Sequence, residues 1–128
     1  MKKLITLIIL IYTSALAYVS HSYATKDVVK KLQIIDIRTP AEWRETGIIA
    51  GSYPIMFFDD QGQYNIADFM AKLSKVAKKG EAIGVICRSG NRSIPVSDFL
   101  DKQGYKVTNL QGGIIYFIQQ GNVLQKIR

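Results

Sequence analysis

The chain has 128 residues, 48% of them hydrophobic, with 17 Lys and Arg against 10 Asp and Glu for a formal charge of +7. That length holds one small domain with a single core, and the apolar content excludes a disordered chain. A single cysteine and a single histidine exclude an internal disulfide and supply no ligand cluster for a metal.

The N-terminus reads as an export leader. Lys2 and Lys3 precede the apolar run Leu4 to Ile11, and small residues follow at Ser14, Ala15 and Ala17. Two cleavage sites fit the small-x-small pattern, one after Ala17 and one after Ala24. Residues 1–24 are therefore assigned to the leader and 25–128 to the domain, which either cleavage is expected to leave whole. An uncleaved N-terminal membrane anchor is the alternative, although the mostly apolar stretch Leu4 to Val19 falls short of the roughly 20 residues of a span. The expectation is a periplasmic or otherwise exported protein with no stable membrane association once the leader is cleaved. Losing Lys2 and Lys3 lowers the charge of +7 by two, to +5, which with no nucleic-acid motif predicts affinity for small anions and not for nucleic acid. His21 falls within or beside the leader, so no catalytic histidine is expected.

Along the domain, Thr25 to Leu32 reads as a helical turn or an edge segment, and Gln33 to Arg38 as the first central strand. Thr39-Pro40-Ala41-Glu42 carries an N-cap, a proline at the first helical position and the glutamate of a capping box. Gly47 ends that helix as a left-handed cap. Ser52 to Phe57 is a second strand, which Pro54 confines to an edge or a strand end. After the polar turn Asp59 to Gly62, the spacing of Ile66, Phe69, Met70, Leu73, Val76 and Ala77 predicts a helix to about Lys79, closed by Gly80. Ala82 to Cys87 is the third strand, Ser93 to Gln103 a helix, Tyr105 to Leu110 the fourth strand, and Ile114 to Gln120 a last helix opened by Gly112-Gly113. Strands alternating with helices predict an α/β fold with a parallel sheet covered on both faces. Ligands in such sheets bind beyond the carboxyl ends of the strands, where Cys87 falls.

Cys87 opens the segment Cys87-Arg88-Ser89-Gly90-Asn91-Arg92-Ser93 between a buried strand and a helix. A turn there aims backbone N–H groups at the sulfur. With the helix dipole and the two arginines they are expected to favour a thiolate and to hold an anionic substrate. A cysteine used only for packing requires none of these features. Ser93, the first helical residue, is expected to cap. Neither a GxxxxGK[ST] loop nor a GxGxxG turn is present, so no cofactor is expected.

Three blocks together resemble the rhodanese-like family: Asp36-Ile37-Arg38-Thr39-Pro40-Ala41-Glu42-Trp43 through Gly47 and Gly51, the loop Cys87 to Ser93, and Leu110-Gln111-Gly112-Gly113-Ile114. The exported single-domain form is similar to the periplasmic rhodaneses of Gram-negative bacteria. The resemblance implies a three-layer α/β/α rhodanese-like fold with a central, mostly parallel sheet. It also implies a thiosulfate sulfurtransferase-like transferase in which Cys87 forms a persulfide. Arg88, Ser89, Gly90, Asn91 and Arg92 then bind substrate, Arg88 meeting an incoming sulfonate and Arg92 closing the loop. Asp36 and Arg38 form ion pairs beneath the loop with Glu42 or a neighbour, and Ser93 supports it. The implied partners are a small anionic sulfur donor and a thiol or cyanide acceptor, with a protein acceptor as a further option. Two departures are visible: Gly47-Ile48-Ile49 stands where the family usually has glycine-histidine-isoleucine, and Tyr116 where a tryptophan often follows the double glycine.

Three other readings compete. A sulfur carrier would use the same loop chemistry with a different donor. A non-catalytic rhodanese-type binding module would more commonly lose the cysteine. A phosphatase or arsenate reductase of the tyrosine-phosphatase type would place five residues between cysteine and arginine, where this chain has only Arg88 to Asn91.

Overall fold

The computed structural model describes residues 18–127. Five parallel strands form one sheet in the order β1-β5-β4-β2-β3: β1 (Ser20–Tyr23), β2 (Gln33–Asp36), β3 (Tyr53–Pro54), β4 (Ala82–Ile86) and β5 (Lys106–Gln111). The helices between them are α1 (Lys26–Lys30), α2 (Pro40–Thr46), α3 (Ile66–Ser74), α4 (Ser93–Lys102) and α5 (Gly113–Gln119).

Because side chains alternate across a strand, each strand feeds two cores. Ile35, Val85, Cys87 and Val107 face Phe69 and Leu73 of α3 and Val96 and Leu100 of α4. Ile34, Ile86 and Leu110 face Val29 of α1 and Ile114 and Phe117 of α5. Two apolar layers on one sheet make the expected three-layer α/β/α arrangement, and β4 is an apolar run because both of its faces are covered. Among the described residues no helix is long and apolar enough to cross a membrane.

Four boundaries differ from expectation. The sheet begins at Ser20, not after residue 24: β1 pairs with β5 from Ser20↔Thr108 to Tyr23↔Gln111, and Ala24 is fully buried. Cleavage after Ala24 would remove that edge strand, whereas cleavage after Ala17 would spare it. Residues 1–17 of the expected leader lie outside the described residues. His21 is accordingly a sheet residue, its Nδ1 3.1 Å from Nδ2 of the buried Asn109. The second strand shrinks to Tyr53–Pro54 at the sheet edge. The helix expected to reach Lys79 ends at Ser74, where the amides of Lys75 and Val76 bond three residues back. Gly47 ends α2 with φ +83° and ψ −173°, outside the left-handed helical region expected of it.

Topology places the site. From β2 the chain leaves toward β3, and from the adjacent β4 it leaves toward β5 on the other side. The carboxyl ends of these two strands therefore flank the switch point at which open α/β sheets bind ligands. Asp36 ends one of them, and Cys87 follows the other.

Candidate active site

Cys87 is 1% exposed, with its sulfur folded into the turn that follows it. Gly90, at φ +101°, reverses the chain so that its own N–H donates to Cys87 Sγ at 3.2 Å. The Ser93 hydroxyl lies 3.5 Å from the same sulfur and donates to the Gly90 carbonyl at 3.2 Å. Ser93 thus serves the sulfur and not the helix: Arg92 occupies the N-cap position of α4, and no side chain caps it. Of the loop amides expected around the sulfur, Gly90 makes the contact. Ser89 and Asn91 are exposed on the crest of the loop, and Asn91 does not take the positive φ allowed for it.

A second layer holds the loop from below. The N–H groups of Ile114 and Ile115, in the first turn of α5, donate to the carbonyls of Cys87 at 3.0 Å and Arg88 at 3.1 Å. That approach requires a bare backbone, because a Cβ on Gly113 would collide with those carbonyls and one on Gly90 would press on the Gly112 amide. The double glycine is therefore part of the cysteine's mounting. The motif was visible in the sequence, but the carbonyls it serves were not.

The charged residues sort into two pairs. Asp36 and Arg38 bind each other, with Arg38 Nη2 2.8 Å from Asp36 Oδ2 and both side chains almost wholly buried. Arg38 also donates to Thr46 Oγ1 at 2.7 Å and to the Gly47 carbonyl at 2.8 Å, so β2 is riveted to the end of α2. Loss of either partner would strand a buried charge, at a cost of about 3–5 kcal/mol.

Of the two partners expected for that pair, Glu42 or a neighbour, it has the neighbour, and Glu42 takes Arg92. Arg92 Nη1 donates to Glu42 Oε1 and Nη2 to Oε2, each at 2.7 Å, and Glu42 Oε1 also accepts from the Thr39 N–H at 3.2 Å. Burial alone would raise the Glu42 pKa. The hydrogen bonds from Arg92 and Thr39 and the Arg92 charge outweigh it and lower the value from 4.5 to about 2. The same hydrogen bond raises the Arg92 pKa against the opposing effect of burial, and the charges of Glu42, Cys87 and Asp36 add to the rise. The capping box of α2 and the cysteine loop therefore share one carboxylate.

Arg88 is exposed and, among the described residues, belongs to no ion pair. It lines a cavity of about 210 Å³ together with Glu45, Ile115 and Ile118, the two isoleucines part-exposed. Arg88 is thus the loop cation available to an anion, while Arg92 is committed to the frame.

The Rhodanese-like domain family matches residues 20–119, a span that includes β1. A sulfurtransferase of Allochromatium vinosum is 36% identical over 98 residues, covering 76% of this chain and 78% of that one. Thiosulfate sulfurtransferase 18 of Arabidopsis thaliana is 31% identical over 90 residues, covering 67% and 66% of the two chains. Among solved structures, a rhodanese-related protein from Thermoplasma volcanium superposes with a TM-score of 0.61 at 27% identity, over 81% of this chain and 94% of that one.

Proposed function

The chain belongs to the rhodanese-like family of sulfurtransferases, and from that premise we propose that it moves a sulfane sulfur from thiosulfate to cyanide or a thiol through a Cys87 persulfide. The observation that carries the reading is the cradle: a thiol at the carboxyl end of β4, met by the Gly90 N–H at 3.2 Å and the Ser93 hydroxyl at 3.5 Å, with the next residue in the chain, Arg88, exposed.

In the first half-reaction the Cys87 thiolate attacks the outer sulfur of thiosulfate. A new S–S bond forms, the bond to the sulfonate sulfur breaks, and sulfite leaves with its electron pair. Arg88 receives the sulfonate oxygens, a charge-assisted contact for which its whole guanidinium is free, whereas Arg92 already gives two of its N–H groups to Glu42. In the second half-reaction cyanide or a thiolate attacks the outer sulfur of the persulfide. Thiocyanate or a new persulfide departs, and Cys87 Sγ returns to thiolate. No base is needed in either step, because the nucleophile enters and leaves ionised. Export is part of the proposal, with the leader ending at Ala17, since that site keeps β1 in the sheet.

Steady-state thiocyanate formation tests the reading. Parallel lines in double-reciprocal plots against thiosulfate and cyanide, with no turnover by Cys87→Ser, are expected. Hydrolysis of p-nitrophenyl phosphate or reduction of arsenate, with no thiocyanate formed, would replace it with the phosphatase or reductase reading.

A further inference from the structure

Within the loop, three hydrogen bonds close a ring. The Gly90 N–H donates to Cys87 Sγ, the Cys87 thiol meets Ser93 Oγ at 3.5 Å, and the Ser93 hydroxyl donates to the Gly90 carbonyl. Cys87 is 1% exposed and Ser93 fully buried, so water does not substitute readily for any member. A hydroxyl carries one proton and can give it to one acceptor at a time. While the sulfur is protonated, S–H points to Ser93 Oγ and the hydroxyl proton points to the Gly90 carbonyl. Once the thiol proton has gone to solvent, the sulfur has nothing to donate and one more lone pair to satisfy.

We infer that Ser93 is a catalytic residue of this site: its hydroxyl turns from the Gly90 carbonyl to Cys87 Sγ whenever that sulfur is anionic, and so supplies a second donor beside the Gly90 N–H. This role rests on the reading of Cys87 as a sulfur-transfer nucleophile and assigns the group that meets its charge. Sγ is anionic at two points in the cycle, before it attacks the donor and again as it leaves the persulfide, so one rotating hydroxyl serves both half-reactions. The Gly90 carbonyl loses its hydroxyl partner at those moments, which makes the switch reversible: reprotonation or persulfide formation removes the negative charge from Sγ and returns the hydroxyl to the carbonyl.

Ser97 provides a control. It lies one turn along α4, is equally buried, and its hydroxyl has no hydrogen-bond partner among the described residues. Ser93→Ala and Ser97→Ala therefore delete the same atom from the same helix, but only the first deletes a donor to the sulfur. The test is the pH profile of Cys87 alkylation by iodoacetamide, a readout that requires no sulfur donor. The midpoint in Ser93→Ala is expected to move about one pH unit to the alkaline side, a roughly tenfold slower alkylation below it. Ser97→Ala is expected to keep the wild-type midpoint. An unmoved midpoint in Ser93→Ala, or equal shifts in both variants, would overturn the assignment. If the profile shifts as expected while thiosulfate yields no thiocyanate, the sulfur-transfer reading fails and the hydroxyl's role toward the thiolate stands.

Discussion

Arg92 and Arg88 are both loop arginines, yet their environments give them different work. Arg92 holds Glu42 through two 2.7 Å bonds, while Arg88 stands exposed over the cavity. Arg88→Ala is expected to raise the KM for thiosulfate about tenfold or more, the loss of one hydrogen bond to a charged group, while persulfide still forms at saturating donor. The Glu42 carboxylate, lowered from 4.5 to about 2, makes a contribution to stability that is complete above its unfolded value. That contribution is lost as the pH falls from about 4.5 toward 2. Denaturation midpoints in urea should thus show an acid limb across that window in the wild type and a flatter one in Glu42→Gln. The residues of both pairs are legible from the motifs, and a neighbour is among the partners open to Asp36 and Arg38, but the pairing of Glu42 with Arg92 is not legible. Glu42 and Arg92 are fifty positions apart, and nothing in local spacing says that the glutamate of a capping box also faces the loop. Ser93 shows a related limit: a serine opening a helix reads as a cap until the sulfur 3.5 Å away is seen.

At the level of elements, the loop depends on a helix that carries no catalytic side chain. α5 reaches the Cys87 and Arg88 carbonyls through its first amides, and Gly113, at φ +59°, is the residue that lets it approach. Gly113→Ala should lower the melting temperature well beyond Gly121→Ala, because Gly121 has a positive φ but open space around it. The difference isolates the collision from the backbone strain, which alone costs about 1–3 kcal/mol. Equal melting temperatures would mean that the close approach is unimportant. Elements whose signals were local, such as the capping box of α2 and the apolar run of β4, were readable from the sequence. The end of α3 was not, since Val76 and the buried Ala77 keep the apolar spacing after the helix has given way to turns. β3 is shorter than the apolar run suggests because the ladder with β2 covers only Tyr53 and Pro54, beyond which the amides of Ile55 and Phe57 reach the Asp36 and Ile37 carbonyls without a continued strand.

For the whole molecule, the sheet order brings β2 and β4 together at the switch point and leaves β1 to cover the edge of β5. β1 is not legible in the sequence because Ser20-His21-Ser22-Tyr23 has no strand-like apolar alternation and falls within the stretch assigned to an expected leader; it exists by pairing with β5. A chain starting at Thr25 is accordingly expected to melt lower than one starting at Tyr18, and thermal denaturation of the two distinguishes a structural strand from a dispensable one. The architecture and the cysteine loop were legible because family motifs and alternating elements report topology, whereas pairing across the sheet is set by contacts distant in sequence. In the proposed chemistry all of this framework serves to let one sulfur accept and release another. Intact mass of the purified protein after thiosulfate, with and without cyanide, tests it most directly. A gain of one sulfur, about 32 Da, is expected, which cyanide removes and Cys87→Ser never acquires. A wild-type mass unchanged by thiosulfate and by every other sulfane donor tried would contradict it.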